Sequence, residues 1–357
     1  MEFRDFFLEQ IKRHPAMEPQ DAIKLCYQAA FGAEHLLQDK EAAYRYLEEE
    51  YFAVEEVSAE PLYEWIHPNV CRVNLATWKR EKLPLEWLFR MFSMTADDLP
   101  EDGRQTFLEC VETVETLLAE GSADRQTTGM TKIKWQTFLS EYPIYQPVAV
   151  HHSEEYRRKE RPAYRLVSSR FVRLFPILQA IAKLPSKMKI VAIDGRCASG
   201  KTTLASQLKQ VTGAGLVHMD DFFLPPKMRT EERMREAGGN VHYERFMDEV
   251  IPHIADSQTF KYRRFDCSRM ELGETIEVPA GNLRIVEGSY SCHPVFGKYM
   301  DLKVFCSVEP EEQLRRIEKR DGCEMLDRFR NQWIPMEEQY IQHFKIREQA
   351  DVTTFLS

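Results

Sequence analysis

The sequence lacks paired cysteines, long apolar runs and an excess of positive charge, and each absence excludes a class of protein. Its eight cysteines occur singly, with no Cys-x-x-Cys pair, so neither a zinc knuckle nor a disulfide framework is indicated. No window approaches the length of a bilayer-spanning helix, and the N-terminus lacks the unbroken apolar stretch of a signal peptide. The net charge of -9 argues against a duplex nucleic-acid binder, which needs a basic face. We therefore expect a cytoplasmic protein that binds neither membranes nor nucleic acid.

Length and composition predict two domains. The chain has 357 residues, 43% of them apolar, which is enough for two hydrophobic cores. The first half has helical periodicity, with helices predicted after Pro19, Asp39 and Pro84 and over the stretch RQTFLECVETVETLLAEG. The proline- and charge-rich segment EYPIYQPVAVHHSEEYRRKERP ends this half. We therefore predict an all-α domain over residues 1–160.

The second half, residues 161–357, alternates between strand and helix patterns. A helix is predicted near 164–184, and the short apolar runs KIVAI, GLVHM, LRIVEG, LKVFCSV and ADVTTFL follow, separated by helical segments. This alternation predicts a parallel, doubly wound α/β sheet. The stretch YRRFDCSRMELGETIEVP predicts a hairpin.

A glycine-containing loop lies between the first of these strands and a predicted helix. Residues 195–202, GRCASGKT, fit the P-loop pattern G-x-x-x-x-G-K-[ST], and the flanking strand and helix argue against a chance match. Backbone N–H groups of such a loop point at phosphate oxygens, Lys201 would reach the β- and γ-phosphates, and the Thr202 hydroxyl would bind Mg²⁺. The predicted ATP-binding residues are Gly195, Ala198, Ser199, Gly200, Lys201, Thr202 and Thr203.

Acidic residues follow two other predicted strands. Asp220 and Asp221 come after LVHM, and Glu287 comes after LRIV. Because parallel strands end at one edge of a sheet, we expect these carboxylates near the γ-phosphate, where they could accept a proton or hold Mg²⁺. The alternatives are a turn-capping role for the two aspartates and a solvated strand end for the glutamate.

Four segments, VAIDGRCASGKTT, HMDDFFLPP, IVEGSYS and QLRRIEKRD, resemble in this order the uridine kinase and nicotinamide riboside kinase group of P-loop small-molecule kinases. The resemblance covers about residues 186–357. It implies transfer of the γ-phosphate of ATP, with Mg²⁺, to a hydroxyl of a small metabolite such as a nucleoside or riboside. It also implies that Asp220 is the base and a metal organiser, and Phe222 and Phe223 match the aromatic pair that follows this acid in the group. We assign Phe223 and Glu287 to the substrate site, and Glu287 also to Mg²⁺.

An arginine-rich helix is predicted to begin near Pro310. Arg316 and Arg320 lie one turn apart on it, and they resemble the arginine-bearing lid of the same kinase group. Phosphoryl transfer needs positive charge over the γ-phosphate and exclusion of water, which such a lid supplies. The alternative is a solvated, charged helix.

The acceptor is less well defined by the sequence. His242 stands where uridine kinases carry an aspartate that reaches the nucleoside, so uridine is not the expected acceptor. Tyr243 follows it, and Arg269 lies near the turn of the predicted hairpin; we assign all three to the substrate site. The alternative for the hairpin is a plain surface element, and an anionic acceptor remains an open reading of the nearby arginines.

A second hypothesis is a nucleotide-responsive regulatory protein, with the P-loop domain as a switch. The chain contains neither an Asn-Lys-x-Asp guanine-reading sequence nor a Leu-Ser-Gly-Gly-Gln signature, and it carries a candidate base and lid, so the kinase is favoured. The N-terminal half carries no recognisable motif. The histidines there, His35, His67, His151 and His152, lack metal-ligand spacing. An effector site or a homo-oligomer interface in this half stays open.

Overall fold

The protein forms two compact units, Met1–Val172 and Arg173–Ser357, in a computed structural model. The model describes residues 2–33, 39–55, 60–98, 102–122 and 129–355. His35 lies outside the described residues. The division between the units falls at residues 172/173, whereas the predicted boundary is at 160/161. The strand Tyr164–Ser168 lies between these two positions and pairs within the first unit.

The first unit is mostly helical, as predicted. Pro19 is the first residue of the second helix, which ends at Gly32, and the side chain of Asp39 accepts hydrogen bonds from the first N–H groups of the third. The helices are α1 Phe3–Arg13, α2 Pro19–Phe31, α3 Lys40–Ala53, α4 Leu75–Arg80, α5 Leu85–Asp97, α6 Gly103–Ala119, α7 Lys132–Glu141 and α8 Glu154–Glu160.

The prediction of an all-α first domain is wrong in one respect. The unit contains an antiparallel sheet of three strands, β1 Tyr63–His67, β2 Val70–Asn74 and β3 Tyr164–Ser168, in the order β1-β2-β3. The predicted helix near 164–184 is replaced at its start by β3 and a 3-10 turn over Ser169–Leu174, and only α9, Phe175–Lys183, is α-helical. The strands have five residues each, and β3 pairs with a strand far away in the sequence, so local periodicity does not reveal them.

Several buried polar side chains of the first unit form hydrogen bonds with one another. Arg72, which is 2% exposed, donates to Gln10 and Gln28. His152 Nδ1 lies 2.8 Å from a carboxylate oxygen of Asp21, and burial is the largest influence lowering the pKa of this histidine to about 4. Among the described residues, no group of three or more His, Cys, Asp or Glu side chains could hold a metal ion. His152 is therefore a neutral, hydrogen-bonded side chain of the core.

The second unit is built on a five-stranded sheet. Its order is β10-β9-β4-β8-β5 and every pairing is parallel, as predicted. The predicted hairpin is confirmed as the antiparallel pair β6-β7. The strands are β4 Lys189–Gly195, β5 Gly215–His218, β6 Phe260–Asp266, β7 Glu271–Val278, β8 Leu283–Glu287, β9 Leu302–Ser307 and β10 Val352–Phe355. The helices after α9 are α10 Lys201–Thr212, α11 Glu231–Arg235, α12 Tyr243–Glu249, α13 Ile251–Ile254, α14 Pro310–Asp321, α15 Cys323–Arg328 and α16 Ile334–His343.

The central strand β4 determines where the functional loop lies. Ile190, Val191, Ala192 and Ile193 are all at most 5% exposed, so this strand is buried on both faces, which a parallel sheet requires. Its carboxyl end leads through the glycine-containing loop directly into α10, which packs against β4, β5 and β8. The second unit therefore has the α/β P-loop NTPase fold. None of the helices in the described part of the chain combines the length and apolar character needed to cross a bilayer.

Candidate active site

The loop after β4 has a backbone that glycine makes possible. Gly195 has φ +135°, and a Cβ placed there would lie 2.0 Å from the carbonyl oxygen of Cys306 on the neighbouring strand. Gly200 caps α10 with φ +90°. Gly195 can therefore lie against β9, and Gly200 lets the loop turn directly into α10. A loop of this kind that ends at a helix N-terminus is suited to binding phosphate.

Gly195→Ala should destabilise the second unit by at least about 2 kcal/mol, because it adds a steric clash with backbone to an unfavourable φ. Gly297→Ala is the matched control, since Gly297 has φ +68° but nothing lies within 4 Å of its added Cβ. The control keeps an unfavourable backbone conformation but adds no clash, so it should destabilise the unit less than Gly195→Ala does. Urea unfolding of both variants measures the difference, and equal losses would contradict the close approach to Cys306.

Lys201, the first residue of α10, is folded back onto the loop. Its ammonium group donates hydrogen bonds to the carbonyl oxygens of Gly195 (2.9 Å) and Arg196 (2.8 Å), and only 7% of the residue is exposed. Burial alone would lower its pKa, but the negative charges of Glu337 and Asp220 outweigh burial and raise the pKa above the usual lysine value. The site therefore keeps a buried, charged lysine at the predicted phosphate-binding loop.

Thr202 and Glu287 meet beside this lysine. The Thr202 hydroxyl donates to Glu287 Oε2 at 3.3 Å, and the second carboxylate oxygen lies 2.5 Å from His218 Nδ1. This hydrogen bond is the largest influence raising the pKa of His218, so the imidazole favours its charged form. Glu287 is 3% exposed and is thus a strand-end acid buried in the site, contrary to the solvated alternative.

The two adjacent aspartates have different surroundings. The residue Asp220 is exposed to solvent. Its carboxyl group is nevertheless partly desolvated by the surrounding protein, and this desolvation, together with the negative charge of Glu287, raises its pKa to about 6. Asp221 is buried, accepts a hydrogen bond from the Tyr262 hydroxyl (2.7 Å) and lies 3.3 Å from Arg264 Nε. Asp221 is therefore occupied by structural partners, whereas Asp220 lies in the electrostatic field of the phosphate-binding loop.

Of the two predicted lid arginines, the structure brings one to the loop. Arg316 on α14 donates to the carbonyl oxygen of Ala198 at 3.3 Å, and Glu312 holds its Nε at 2.6 Å. Arg320 is 56% exposed at its side chain and donates to its neighbour Asp321. Of these two arginines, Arg316 is therefore the one that contacts a predicted phosphate-binding residue directly.

Two of the predicted acceptor-binding residues adjoin the segment that carries Asp220. The backbone N–H of His242 donates to the carbonyl oxygen of Phe222 at 2.7 Å, and Phe223 forms a β-bridge with Val241. The His242 side chain caps α12, because its Nδ1 accepts a hydrogen bond from the Arg245 N–H. These contacts fix the position of the segment that follows Asp221, which lies next to Asp220 in the chain.

The other two predicted acceptor-binding residues contact different groups. The Tyr243 hydroxyl pairs with Arg233 and donates to Glu236. Arg269 lies in the turn between β6 and β7, with its side chain 74% exposed and 3.9 Å from Asp266. Neither of these side chains contacts the acids of the site in this arrangement.

Sequence reasoning did not identify several residues of this site. Asp194 at the end of β4 is buried and accepts N–H hydrogen bonds from Gly195, Tyr290 and Cys292, tying the loop after β8 to the start of the P-loop. His218 and Glu337 contact the site as well. His218 could have been noticed from its position two residues before Asp220, but no motif signals Glu337.

The donor set near Thr202 fits Mg²⁺. A hydroxyl and a carboxylate oxygen lie 3.3 Å apart there, and hard oxygen donors with few protein ligands are what this ion prefers. Thr202 and Glu287 would be its protein ligands, with Asp220 nearby, and phosphate oxygens and water would complete the coordination.

Comparisons with known proteins give distant similarities in structure only. No family model and no curated protein sequence matches the chain. A structure described as a possible uridine kinase from Bacillus stearothermophilus is 20% identical, covers 51% of this chain and 96% of its own, and has a TM-score of 0.41. A provisionally named fructose transport system kinase from Silicibacter sp. TM1040 is 18% identical, with 50% and 95% covered and a TM-score of 0.39. At these values the function has to be inferred from the residues of the site.

Proposed function

We propose that the second unit is an ATP-dependent kinase that transfers the γ-phosphate to a hydroxyl of a small metabolite such as a nucleoside or riboside. The main support is the position of Asp220. Its carboxyl group, with a pKa of about 6, interacts electrostatically with both Lys201 and Glu287 at the carboxyl edge of the sheet. A base with a pKa near neutrality beside a phosphate-binding lysine is what hydroxyl phosphorylation requires.

The proposed reaction assigns one task to each residue. Asp220 accepts the proton of the acceptor hydroxyl as its oxygen bonds to the γ-phosphorus, the bond from that phosphorus to the β–γ bridging oxygen breaks, and ADP leaves. Lys201 and Arg316 stabilise the charge on the phosphate oxygens. Thr202 and Glu287 would hold Mg²⁺, which would supply positive charge to the phosphates.

Asp221 and His218 have positioning roles. Asp221 contacts Tyr262 and Arg264, and His218 fixes the orientation of the Glu287 carboxylate. His242, whose imidazole caps a helix, does not offer the carboxylate that uridine kinases use at this place. We therefore expect an acceptor other than uridine.

Acceptor screening tests this function. The full chain with Mg²⁺ and ATP should consume ATP in the presence of one member of a panel of nucleosides, ribosides, sugars and vitamin precursors, and Asp220→Asn should abolish that consumption. Nucleotide binding without consumption by any acceptor would favour the regulatory alternative. Absence of nucleotide binding would contradict the P-loop assignment itself.

The activity should depend on pH through Asp220. Because its pKa is raised to about 6, the carboxyl group binds a proton as the pH falls through that value and can no longer act as a base. We expect kcat/KM to be constant above about pH 7 and to fall about tenfold per pH unit below about pH 6. A profile measured between pH 5 and 8 checks this, and a rate that is flat across that interval would exclude Asp220 as the base.

A further inference from the structure

A glutamate from the C-terminal part of the chain lies in the phosphate-binding loop. Glu337, in the first turn of α16, accepts the backbone N–H of Cys197 at 2.8 Å through Oε2 and the Ser289 hydroxyl at 2.6 Å through Oε1. Only 7% of Glu337 is exposed. A protein carboxylate thus occupies one N–H group of a loop whose N–H groups bind phosphate in P-loop proteins.

Neighbouring residues of α16 hold the same part of the loop. Both carboxylate oxygens of Glu338 accept hydrogen bonds from the guanidinium group of Arg196, and the Tyr340 hydroxyl donates to Asp194 at 2.7 Å. Glu338 is more exposed than Glu337, with 27% of its side chain accessible, and its charge is matched by that of Arg196. The two adjacent glutamates therefore differ: Glu338 is paired with a cation, and Glu337 is bonded to neutral groups.

The charge of Glu337 reaches the reacting region. It is the largest influence that raises the pKa of Lys201, and it also contributes to the raised pKa of Asp220. The carboxylate therefore lies close enough to interact with anything bound at Lys201. The phosphate chain of ATP is itself strongly negative, so its approach to the loop brings like charges together in a partly buried site, where screening by water is weak.

We propose that Glu337 is an internal anion that competes with nucleotide phosphates for the loop over residues 195–202. It weakens binding in proportion to the number of phosphates on the nucleotide. The inference rests on the proposed function, because it concerns the same nucleotide site.

The test is the affinity of full-length Glu337→Gln for nucleotides of different charge. Glutamine has the same shape, its amide oxygen can accept from Cys197, and its amide nitrogen can donate to Ser289, so only the charge is removed. Calorimetric titration with Mg²⁺ and a non-hydrolysable ATP analogue should give a Kd about tenfold lower than for the unchanged protein. The gain should be smaller for ADP and smallest for AMP, an order that a purely structural role of Glu337 would not produce.

Two further variants keep the inference open to refutation. Glu348→Gln should change the Kd by less than about threefold, because this acid is exposed and lies just before β10, at the edge of the parallel sheet opposite to the loop. Ser289→Ala removes one hydrogen bond to Glu337 without changing its charge. It should lower the Kd slightly, most for the ATP analogue and least for AMP. This variant provides the test if Glu337→Gln does not fold. Unchanged or weaker binding in Glu337→Gln and Ser289→Ala, or equal gains for ATP analogue and AMP, would overturn the inference while leaving the kinase proposal intact. If neither the unchanged protein nor the variants bind nucleotide, the proposed function fails, and the inference fails with it.

Discussion

Asp220→Asn should lower turnover by about two to four orders of magnitude, the usual contribution of a positioned general base. Asparagine keeps the size of the side chain and much of its hydrogen bonding, but it cannot take the proton of the acceptor hydroxyl. Its effect on nucleotide affinity should be much smaller, and of opposite sign, because a negative charge beside Lys201 is removed. Steady-state rates with the identified acceptor, together with calorimetric nucleotide affinity, separate the two effects.

Asp221→Asn is the matched control for this prediction. Asp221 is buried against the Tyr262 hydroxyl and Arg264, so its loss should reduce the stability of the fold more than the rate of a folded sample. If Asp221→Asn abolished turnover in a folded protein and Asp220→Asn did not, the base would be the other aspartate. If neither change affected turnover, the proposed reaction would have no base among the adjacent acids, and the assignment of Asp220 as the base would fail.

Lys201→Ala should cost on the order of 3 kcal/mol in transition-state stabilisation, which is more than a hundredfold in kcat/KM. The ammonium group is the buried cation of the loop, and its two hydrogen bonds to Gly195 and Arg196 show that it can reach the concave side of the loop backbone. Affinity for ATP should fall together with the rate, because phosphate attraction is lost in the ground state as well.

Lys209→Ala provides the comparison, since this lysine is in the last turn of the same helix and is exposed. It should leave kcat/KM within about twofold, because exposed charges far from the phosphates are screened. Circular dichroism and thermal unfolding establish that Lys201→Ala is folded. Near-normal kinetics in a folded Lys201→Ala sample would show that residues 195–202 do not bind the transferred phosphate.

Local sequence patterns were sufficient for most of the second unit. The five apolar runs became the five parallel strands, and the hairpin formed where it was predicted. The loop pattern predicts its own geometry, because Gly195 and Gly200 take φ values that other residues avoid. These features are local: burial on both faces of a strand and the conformation of a glycine are encoded within a few consecutive residues.

The small sheet of the first unit could not be inferred in the same way. The strands β1 and β2 are neighbours in the sequence, but β3 comes about ninety residues after β2 and pairs with it across that distance. A five-residue segment such as YRLVS is compatible with either a strand or the start of a helix. Pairing with the distant strand β2 determines that this segment is a strand.

The sequence by itself determined that this chain has a loop of the P-loop pattern followed by acids at the ends of parallel strands, because each of these is a short pattern with its own backbone conformation. Only the tertiary structure decided how each of these acids is placed relative to that loop. It turned Asp221 towards Tyr262, left Asp220 near Lys201, and brought Glu337 from the last helix to the loop. The physical reason is that a pKa and a hydrogen bond depend on distances between atoms, and folding sets those distances between residues that are far apart in the chain.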